Sequence, residues 1–289
     1  MSRARPRAIL PPERVTIVGV LNATPDSFSD GGRFVCGEAR VDAAAAVDAA
    51  AALLAGGAHV LDVGGESTRP GATGVPAELE CDRVVPVIEA LAKRFDAPLW
   101  VDTRKAPVAR AALAAGASAV NDVSGLRHDP ALAAAAAEAD AGLVLGHLRG
   151  SPETMAQAAP FADVLAEVGD ELAASAAAAR AAGIETSQLA VDPGLGFGKD
   201  WRETLRLLAH VDALRARLGL PVLVGPSRKS FLGRVTGDPV GARDAATAAA
   251  CAVAAFLGAD AVRVHDAAGA ARAVAVGRAL GLARRGGRP

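Results

Sequence analysis

The sequence is poor in aromatic side chains. Phe, Trp and Tyr together make up 3% of the 289 residues, and tyrosine is absent. Proteins that bind single strands stack bases on aromatic platforms, so this shortage argues against such a binder. Neither sign of charge dominates, because 31 Lys and Arg stand against 32 Asp and Glu. Phosphate neutralisation requires a basic surface, and we therefore expect no nucleic-acid partner.

Cysteine and long apolar runs are also scarce. Cys36, Cys81 and Cys251 lie far apart, and such an odd, scattered set forms neither a disulfide framework nor a zinc site. We interpret them as reduced thiols of a cytoplasmic protein. The longest uncharged stretch, residues 245–259, is shorter than the ~18 residues of a membrane span. The basic N-terminus lacks the apolar core of a secretory signal, and we expect no membrane partner.

The chain does contain a regular alternation of short apolar runs and long alanine-rich stretches. Uninterrupted apolar runs are typical of strands buried on both faces of a parallel sheet. The predicted strands are residues 15–21, 58–63, 98–102, 117–122, 141–147, 188–192, 221–225 and 260–265. Eight β–α units in this length predict the α/β class and a (β/α)8 TIM barrel, with a doubly wound open sheet as the alternative.

The domain organisation follows from composition. No Pro- or Ser-rich linker interrupts the chain, and the composition does not change along it. We expect an N-terminal extension over residues 1–14, a single barrel domain over 15–282, and a short basic C-terminal tail over 283–289.

Almost every predicted strand ends in polar side chains. One such residue is usually a turn residue or a helix cap. Eight in phase would meet in one pocket, because the carboxyl ends of barrel strands share the rim that carries the active site. The set is Asn22, Glu66 with Thr68 and Arg69, Asp102, Asn121 with Asp122, His147, Asp192, Ser227 with Lys229, and Arg263 with His265.

The residue types at this rim indicate the ligand. Four side chains suit a flat heterocycle rich in N–H and carbonyl groups, because they supply mainly acceptors and one cation. These four are Asp102, Asn121, Asp192 and Lys229. Arg263 and His265 come to lie beside Asn22 when the last and first strands meet, and an Arg–His pair there favours a phosphate or diphosphate.

Three segments read as binding loops. Residues 22–32 and 64–71 follow the first two strands and carry Pro and Gly, so we expect non-helical loops that close over the site. Residues 192–199 are rich in glycine but match neither a Walker A loop nor a dinucleotide fingerprint. They predict a backbone that approaches a ligand, with Phe197 available to pack on it.

Taken together, these motifs resemble those of the dihydropteroate synthases. The resemblance spans residues 15–282 and is carried, in the family's order, by residues 22–32, 61–71, 101–105, 120–126, 150–155, 192–199, 225–231 and 263–265. It implies a barrel transferase of folate biosynthesis, usually a homodimer and a sulfonamide target. Such enzymes condense (7,8-dihydropterin-6-yl)methyl diphosphate with 4-aminobenzoate, with Mg²⁺, to give 7,8-dihydropteroate and diphosphate.

The resemblance also implies a role for each site residue. The catalytic residues would be Asp102, Asp192, Lys229, Arg263 and His265. The same five, with Asn22, Thr68 and Asn121, would bind the pterin and its diphosphate. The 4-aminobenzoate would contact Thr68, Pro70, Phe197, Ser227 and Lys229. Asn22 would ligate Mg²⁺, together with a loop carboxylate such as Asp30.

Further expectations concern single positions. Gly146 stands where the family often has a methionine, and we expect a roomier pterin pocket there. We expect His147 to be structural and Asp62 to be paired inside the barrel mouth. Arg104 and Lys105 are expected to contact solvent. Trp100 and Trp201 are expected to pack in the core or between helices.

The resemblance implies a Mg-assisted dissociative substitution, which needs no enzyme nucleophile. The chain indeed offers no Ser–His–Asp or Cys–His arrangement. Two alternatives remain. A methyltetrahydrofolate-binding methyltransferase domain binds a pterin but needs no diphosphate site, and Arg263 with His265 argues against it. A non-catalytic pterin-binding paralogue would have lost motif residues that this chain keeps.

Overall fold

The computed structural model describes residues 8–23, 35–36 and 40–287. The strands in these ranges are β1 (Thr16–Asn22), β2 (Val35–Cys36), β3 (Arg40–Val41), β4 (Val60–Gly64), β5 (Leu99–Asp102), β6 (Ala119–Asp122), β7 (Gly142–Gly146), β8 (Leu189–Asp192), β9 (Leu223–Val224) and β10 (Ala261–Val264). The α-helices are α1 (Ala43–Ala55), α2 (Ala77–Arg94), α3 (Ala106–Ala115), α4 (Ala131–Glu138), α5 (Val164–Ala181), α6 (Trp201–Ala209), α7 (Val211–Leu218), α8 (Ser230–Thr236), α9 (Asp244–Leu257) and α10 (Ala267–Arg284).

Eight of the strands form a parallel sheet that curls into a barrel. Their order is β8-β7-β6-β5-β4-β1-β10-β9, while β2 and β3 pair with each other in a separate antiparallel ribbon. The two ends of the large sheet meet through a parallel bridge between Val191 and Val222, and Val191 N donates to Pro221 O at 2.9 Å. The barrel is therefore nearly closed, and the predicted (β/α)8 architecture is confirmed over the open sheet.

The inside of the barrel is a packed apolar layer. Each of the eight strands contributes one buried residue to it, and Ile9 and Leu10 from the preceding segment complete the layer. The strand residues are Val18, Val60, Trp100, Ala119, Val144, Ala190, Leu223 and Ala261. A larger cluster lies between the sheet and the helices, which explains why the strand sequences are apolar on both faces. The expectation that Trp100 is a core residue is confirmed.

Four of the described α-helices begin at a side chain that accepts from their free N–H groups. Asp42 caps α1, Asp163 caps α5, Asp266 caps α10, and Asp200 forms a reciprocal capping box with Glu203 at α6. These caps place each helix directly after its loop and so leave the carboxyl ends of the strands open above the apolar layer. Within the described residues, no helix has both the length and the apolarity to cross a membrane.

Candidate active site

A cavity of about 690 Å³ opens at the carboxyl ends of the barrel strands. All eleven predicted site residues line it, although they come from positions spread over most of the chain. They are Asn22, Thr68, Pro70, Asp102, Asn121, Asp192, Phe197, Ser227, Lys229, Arg263 and His265. The loop carboxylate Asp30 lies outside the described residues. The phase argument made from the strand ends therefore placed most of its residues in one pocket, whereas Asp122 and His147 of the same set are fully buried and are not among the residues that line it.

The floor of the cavity is a hydrogen-bonded charge network centred on Arg263. Its Nε donates to Asp62 Oδ2 at 2.6 Å, and its Nη2 donates to Asp102 Oδ2 at 2.7 Å. Asn121 Nδ2 donates to the same Asp62 oxygen at 2.9 Å. Asp62 is fully buried, as expected for a residue paired inside the barrel mouth. In the absence of ligand, the guanidinium predicted to face an anion is thus already held between two carboxylates.

Burial shifts the pKa values of the groups in this network. It raises the pKa of Asp102 to about 7, although the charge of Arg263 opposes the rise. Burial also raises the pKa of Asp192, against the opposing charge of Lys229. For Arg263, burial alone would lower the pKa, but Asp62 and Asp102 raise it overall, so the guanidinium stays charged. The carboxyl of Asp102 can therefore exist in either protonation state near neutral pH.

Lys229 lies on the opposite wall, between a carboxylate and an aromatic ring. Its Nζ donates to Leu195 O and stands 4.2 Å from the centre of the Phe197 ring, a cation–π contact. Burial lowers its pKa to about 8, and the charge of Asp192 limits that decrease. The amine is thus a cation at neutral pH that a modest change in surroundings can deprotonate.

His265 and Ser227 form a second polar corner near the end of β1. His265 Nδ1 lies 2.9 Å from Ser227 Oγ, which also accepts from the His265 backbone N–H at 3.2 Å. Asn22 Nδ2 lies 3.5 Å from His265 Nε2. Burial, followed by the charges of Arg263, Arg228 and Arg69, lowers the pKa of His265 to about 3. The imidazole is therefore neutral without ligand and can offer an anion a hydrogen bond in place of a charge.

Arg104 and Lys105 were expected to contact solvent, but Arg104 is buried and Lys105 is mostly enclosed by carboxylates. Arg104 donates twice to Glu66 Oε2, at 3.1 and 2.8 Å, and Lys105 Nζ bridges Glu66 and Glu80 at 2.6 Å each. Glu66 also accepts the Val75 N–H at 2.9 Å, which closes the loop that carries Thr68 and Pro70. The expectation was wrong because basic residues at a loop start look solvated until their acidic partners, 25 to 39 positions away, are seen.

The roomier pocket expected at Gly146 is not found. A Cβ built on Gly146 would lie 2.6 Å from Val123 Cα and 2.7 Å from Val123 O, so the neighbouring backbone already fills that space. Met155, which is buried, and Val123 both line the cavity. The expectation was wrong because it considered the missing side chain without the Val123 backbone that lies against Gly146.

Two further residues differ from what the sequence suggested. Trp201 is 37% exposed at the first turn of α6, where Arg202 stacks on it at 4.5 Å, so it is not a core residue. Ser230, at the start of α8, lines the cavity and was missed. A signal for Ser230 was available, because it directly follows Lys229 in a loop already assigned to the site.

The fold and this cavity define a class of protein. A (β/α)8 barrel with a charged, ligand-sized cavity at the carboxyl ends of its strands is a barrel enzyme. A model of the pterin binding enzyme family matches residues 18–265. The chain belongs to this family of pterin-binding enzymes.

Relatives of known name support this assignment. The chain is 43% identical over 255 residues to the dihydropteroate synthase of Synechocystis, covering 88% of this chain and 86% of that protein. It is 41% identical over 250 residues to the dihydropteroate synthase of Escherichia coli K12, covering 86% of each. The resemblance inferred from the motifs is confirmed.

Solved structures agree with the sequence relatives. A Yersinia pestis dihydropteroate synthase in complex with a sulfonamide drug superposes with a TM-score of 0.87 at 40% identity, over 93% of this chain and 95% of that one. Xanthomonas albilineans dihydropteroate synthase with 4-aminobenzoic acid gives a TM-score of 0.83 at 45% identity, over 93% of each chain. The same enzyme in complex with 7,8-dihydropteroate gives 0.79 at 38% identity, over 94% of each.

Proposed function

We propose that this chain catalyses the dihydropteroate synthase reaction of folate biosynthesis. It condenses (7,8-dihydropterin-6-yl)methyl diphosphate with 4-aminobenzoate and releases diphosphate and 7,8-dihydropteroate. The observation that carries the proposal is the single cavity in which ring-binding carboxylates, an anion corner and an aromatic wall meet. The names of the relatives support it, since proteins of this identity and coverage are dihydropteroate synthases.

The pterin ring belongs with the carboxylates and the amide. Asp102, Asn121 and Asp192 offer acceptors and one amide to the N–H and carbonyl edge of the ring, and Lys229 offers a donor. Burial raises the pKa of Asp102 to about 7, and a positive charge that develops on the ring would lower this pKa and stabilise the ionised carboxylate.

The diphosphate belongs with Arg263, His265 and Thr68. When diphosphate binds, it competes with Asp62 and Asp102 for the guanidinium of Arg263. His265 donates a neutral hydrogen bond, because its pKa is lowered to about 3 without ligand, and a bound dianion would raise that pKa.

The substitution follows a dissociative course. The bond between the methylene carbon and the diphosphate oxygen breaks, and the electron pair leaves with the diphosphate. The resulting cation is delocalised into the dihydropterin ring, beside the carboxylates of Asp102 and Asp192. The amine nitrogen of 4-aminobenzoate then forms the new C–N bond and gives up one proton, which the released diphosphate or solvent accepts. Phe197, Pro70 and Thr68 shape the site for its ring, with Ser227 and Lys229 at its edge.

Magnesium fits as a cofactor bound together with the substrate. Asn22 offers an amide oxygen, and the described residues contain no group of three or more His, Cys, Asp or Glu that could hold a metal alone. Mg²⁺ commonly takes one or two protein oxygens and completes its shell with phosphates and waters. When bound, the ion would screen the charge of the departing diphosphate.

The assembly is also carried over from the resemblance as a proposal. We propose a homodimer formed through α9 and α10, on which Val253, Val276 and Leu280 are 48 to 59% exposed. Light scattering coupled to size-exclusion chromatography tests this, and a monomer would contradict it. A cytoplasmic location stays a prediction from cysteine usage.

The test of the reaction is diphosphate release from the purified protein. The assay supplies the dihydropterin diphosphate and Mg²⁺, with and without 4-aminobenzoate, and follows dihydropteroate formation in parallel. Release that depends on 4-aminobenzoate, together with product, supports the proposal, and added EDTA should suppress it. Absence of release with pterin binding retained in calorimetry would overturn it in favour of a non-catalytic or methyltransferase function.

A further inference from the structure

Lys199 carries an enclosed side-chain amine that the proposed mechanism does not use, and burial lowers the pKa of this amine. Its Nζ is surrounded by three acceptors: His147 Nδ1 at 2.8 Å, His147 O at 3.1 Å and Phe197 O at 2.9 Å. The protonated amine has three N–H donors, and in that form this arrangement satisfies all of them. Lys199 thus connects the backbone of Phe197 directly to the residue that follows β7.

His147 is itself held rigidly on its far side. The side chain is fully buried, and its Nε2 lies 3.0 Å from Glu171 Oε2 on α5. Because a carboxylate only accepts, Nε2 carries the ring proton and Nδ1 is the acceptor for Lys199. Burial, followed by the charge of Lys199, lowers the pKa of His147 to about 3, which agrees with a neutral ring. The chain of contacts from α5 to Phe197 is therefore continuous.

The loop that carries Phe197 has little room to adjust. Gly194 and Gly198 have φ angles of +66° and +65°. A Cβ on Gly194 would lie 1.8 Å from His147 O, and one on Gly198 would lie 2.4 Å from Arg149 O. The loop therefore packs directly against the segment after β7. From the cavity side, Lys229 donates a hydrogen bond to its Leu195 O.

We propose that Lys199 is a positioning residue for the second substrate: it fixes Phe197 at the cavity wall and so sets the affinity for 4-aminobenzoate. The proposal rests on the proposed function. Lys199 acts through the Phe197 carbonyl, whereas Asp102 and Asn121 lie on other strands. Of the residues assigned to the pterin, Asp192 at the start of the same loop is affected by the charge of Lys199, so a small change in the KM for the pterin diphosphate is expected as well. Loss of Lys199 should therefore affect the two substrates unequally.

The first test compares steady-state kinetics of wild type and Lys199→Met. We expect the KM for 4-aminobenzoate to rise about tenfold or more, with kcat and the KM for the pterin diphosphate changed less than about threefold. Lys93→Met, at an exposed position near the end of α2, is the matched control and should leave all three parameters unchanged. A purely structural lysine would lower the active fraction of the enzyme and so kcat, with both KM values unchanged.

A double-mutant cycle with Phe197→Ala tests the route of the effect. If Lys199 acts through Phe197, then Lys199→Met should add less than about twofold to the KM for 4-aminobenzoate once the ring is gone. Independent, multiplying effects would overturn the proposal, as would an unchanged KM in the single variant.

A second variant covers the case in which Lys199→Met does not fold. Gly198→Ala removes no charge but forces the loop away from Arg149 O, so it should raise the same KM selectively. An unchanged KM there would overturn the proposal. Failure of the proposed function is a separate result, because the wild-type enzyme itself would then release no diphosphate in response to 4-aminobenzoate.

Discussion

The charged side chains at the barrel mouth have lost water and gained partners of opposite sign. Arg263 is held by Asp62 and Asp102, and Lys229 lies close enough to Asp192 for each to shift the pKa of the other. A buried charge is costly unless compensated, so each of these groups depends on its neighbours for its protonation state. This interdependence prepares the site for a ligand that changes the local charge.

Substitution of Lys229 by Ala should abolish turnover and leave the fold intact. The ammonium contacts both Leu195 O and the Phe197 ring, and no other described lysine reaches this wall from the cavity side. We expect kcat/KM to fall by about a hundredfold or more, the usual effect of losing one positioned donor. The melting temperature should change by less than about 5 °C. Retained activity in this variant would contradict the assignment of Lys229 to the site.

His147 should make the enzyme less stable in acid. In the unfolded chain a histidine takes up a proton below pH 6.5, but in the folded chain this one stays neutral down to about pH 3. Between these values the unfolded state binds more protons, so stability is lost as the pH falls. The loss should be about 1.4 kcal/mol per pH unit for this group.

The comparison for this effect is His147→Gln, whose amide keeps one donor and one acceptor but cannot titrate. Unfolding by urea at pH 4, 5, 6 and 7 gives the free energy of unfolding of the wild type and of the variant. The difference between their free energies of unfolding should narrow as the pH falls, because only the wild type loses the contribution of His147. A constant difference would show that the folded-state pKa of His147 is not lowered.

The loop after β4 is held in place by a buried ion network. Glu66 receives hydrogen bonds from Arg104, Lys105 and the Val75 N–H, and Glu66 and Arg104 are both buried. From the other side, Pro152 O accepts from Gly71 N at 2.9 Å. The element that carries Thr68 and Pro70 is therefore anchored at both ends.

Glu66→Ala should destabilise the protein by about 3–5 kcal/mol, because it leaves the buried Arg104 without its carboxylate partner and leaves Lys105 paired with Glu80 alone. Glu138→Ala is the matched control, since Glu138 pairs with Arg110 at an exposed surface and its loss should change little. Urea unfolding of both variants measures the effect. Equal, small losses would mean that the Glu66 network contributes nothing to stability.

For the loops, the sequence predicted which segments line the cavity better than it predicted the contacts of single side chains. Gly and Pro punctuation located the loop after β4 and the segment 192–199, and both line the cavity as expected. The same reasoning wrongly predicted that Arg104 and Lys105 contact solvent and that the pocket is larger at Gly146. Both errors concern contacts with residues from another strand or helix, which local punctuation does not encode.

At the scale of the whole molecule, the segment before β1 closes the barrel at the amino ends of its strands, an end called here the barrel floor. Ile9 and Leu10 are buried in the same layer as the strand residues, and Ile9 N donates to Ser187 O at 3.0 Å. We propose that residues 15–282 form the barrel domain, with 1–14 as an extension that contributes this floor and 283–289 as a tail.

Ile9→Ala and Leu10→Ala should each cost about 2–4 kcal/mol, as for other large-to-small changes in a core. Val235→Ala, at a position 59% exposed, is the control and should have little effect. Thermal unfolding of the three variants is the measurement. If the floor variants melt like the control, the extension does not contribute to the barrel core.

The local pattern of the sequence predicts which residues are buried, which end a strand and which face the rim. The spacing of apolar residues and the helix caps depend on residues close in sequence. The barrel, and the placement of Asn22, Asp102 and His265 in one pocket, could therefore be predicted from the sequence. Which charges pair could not, because Arg263 meets Asp62 across 201 positions and loses its water only when the barrel closes. The protonation states of the site residues, the enclosure of Lys199 and the close approach of the Val123 backbone to Gly146 are likewise set only when the barrel closes.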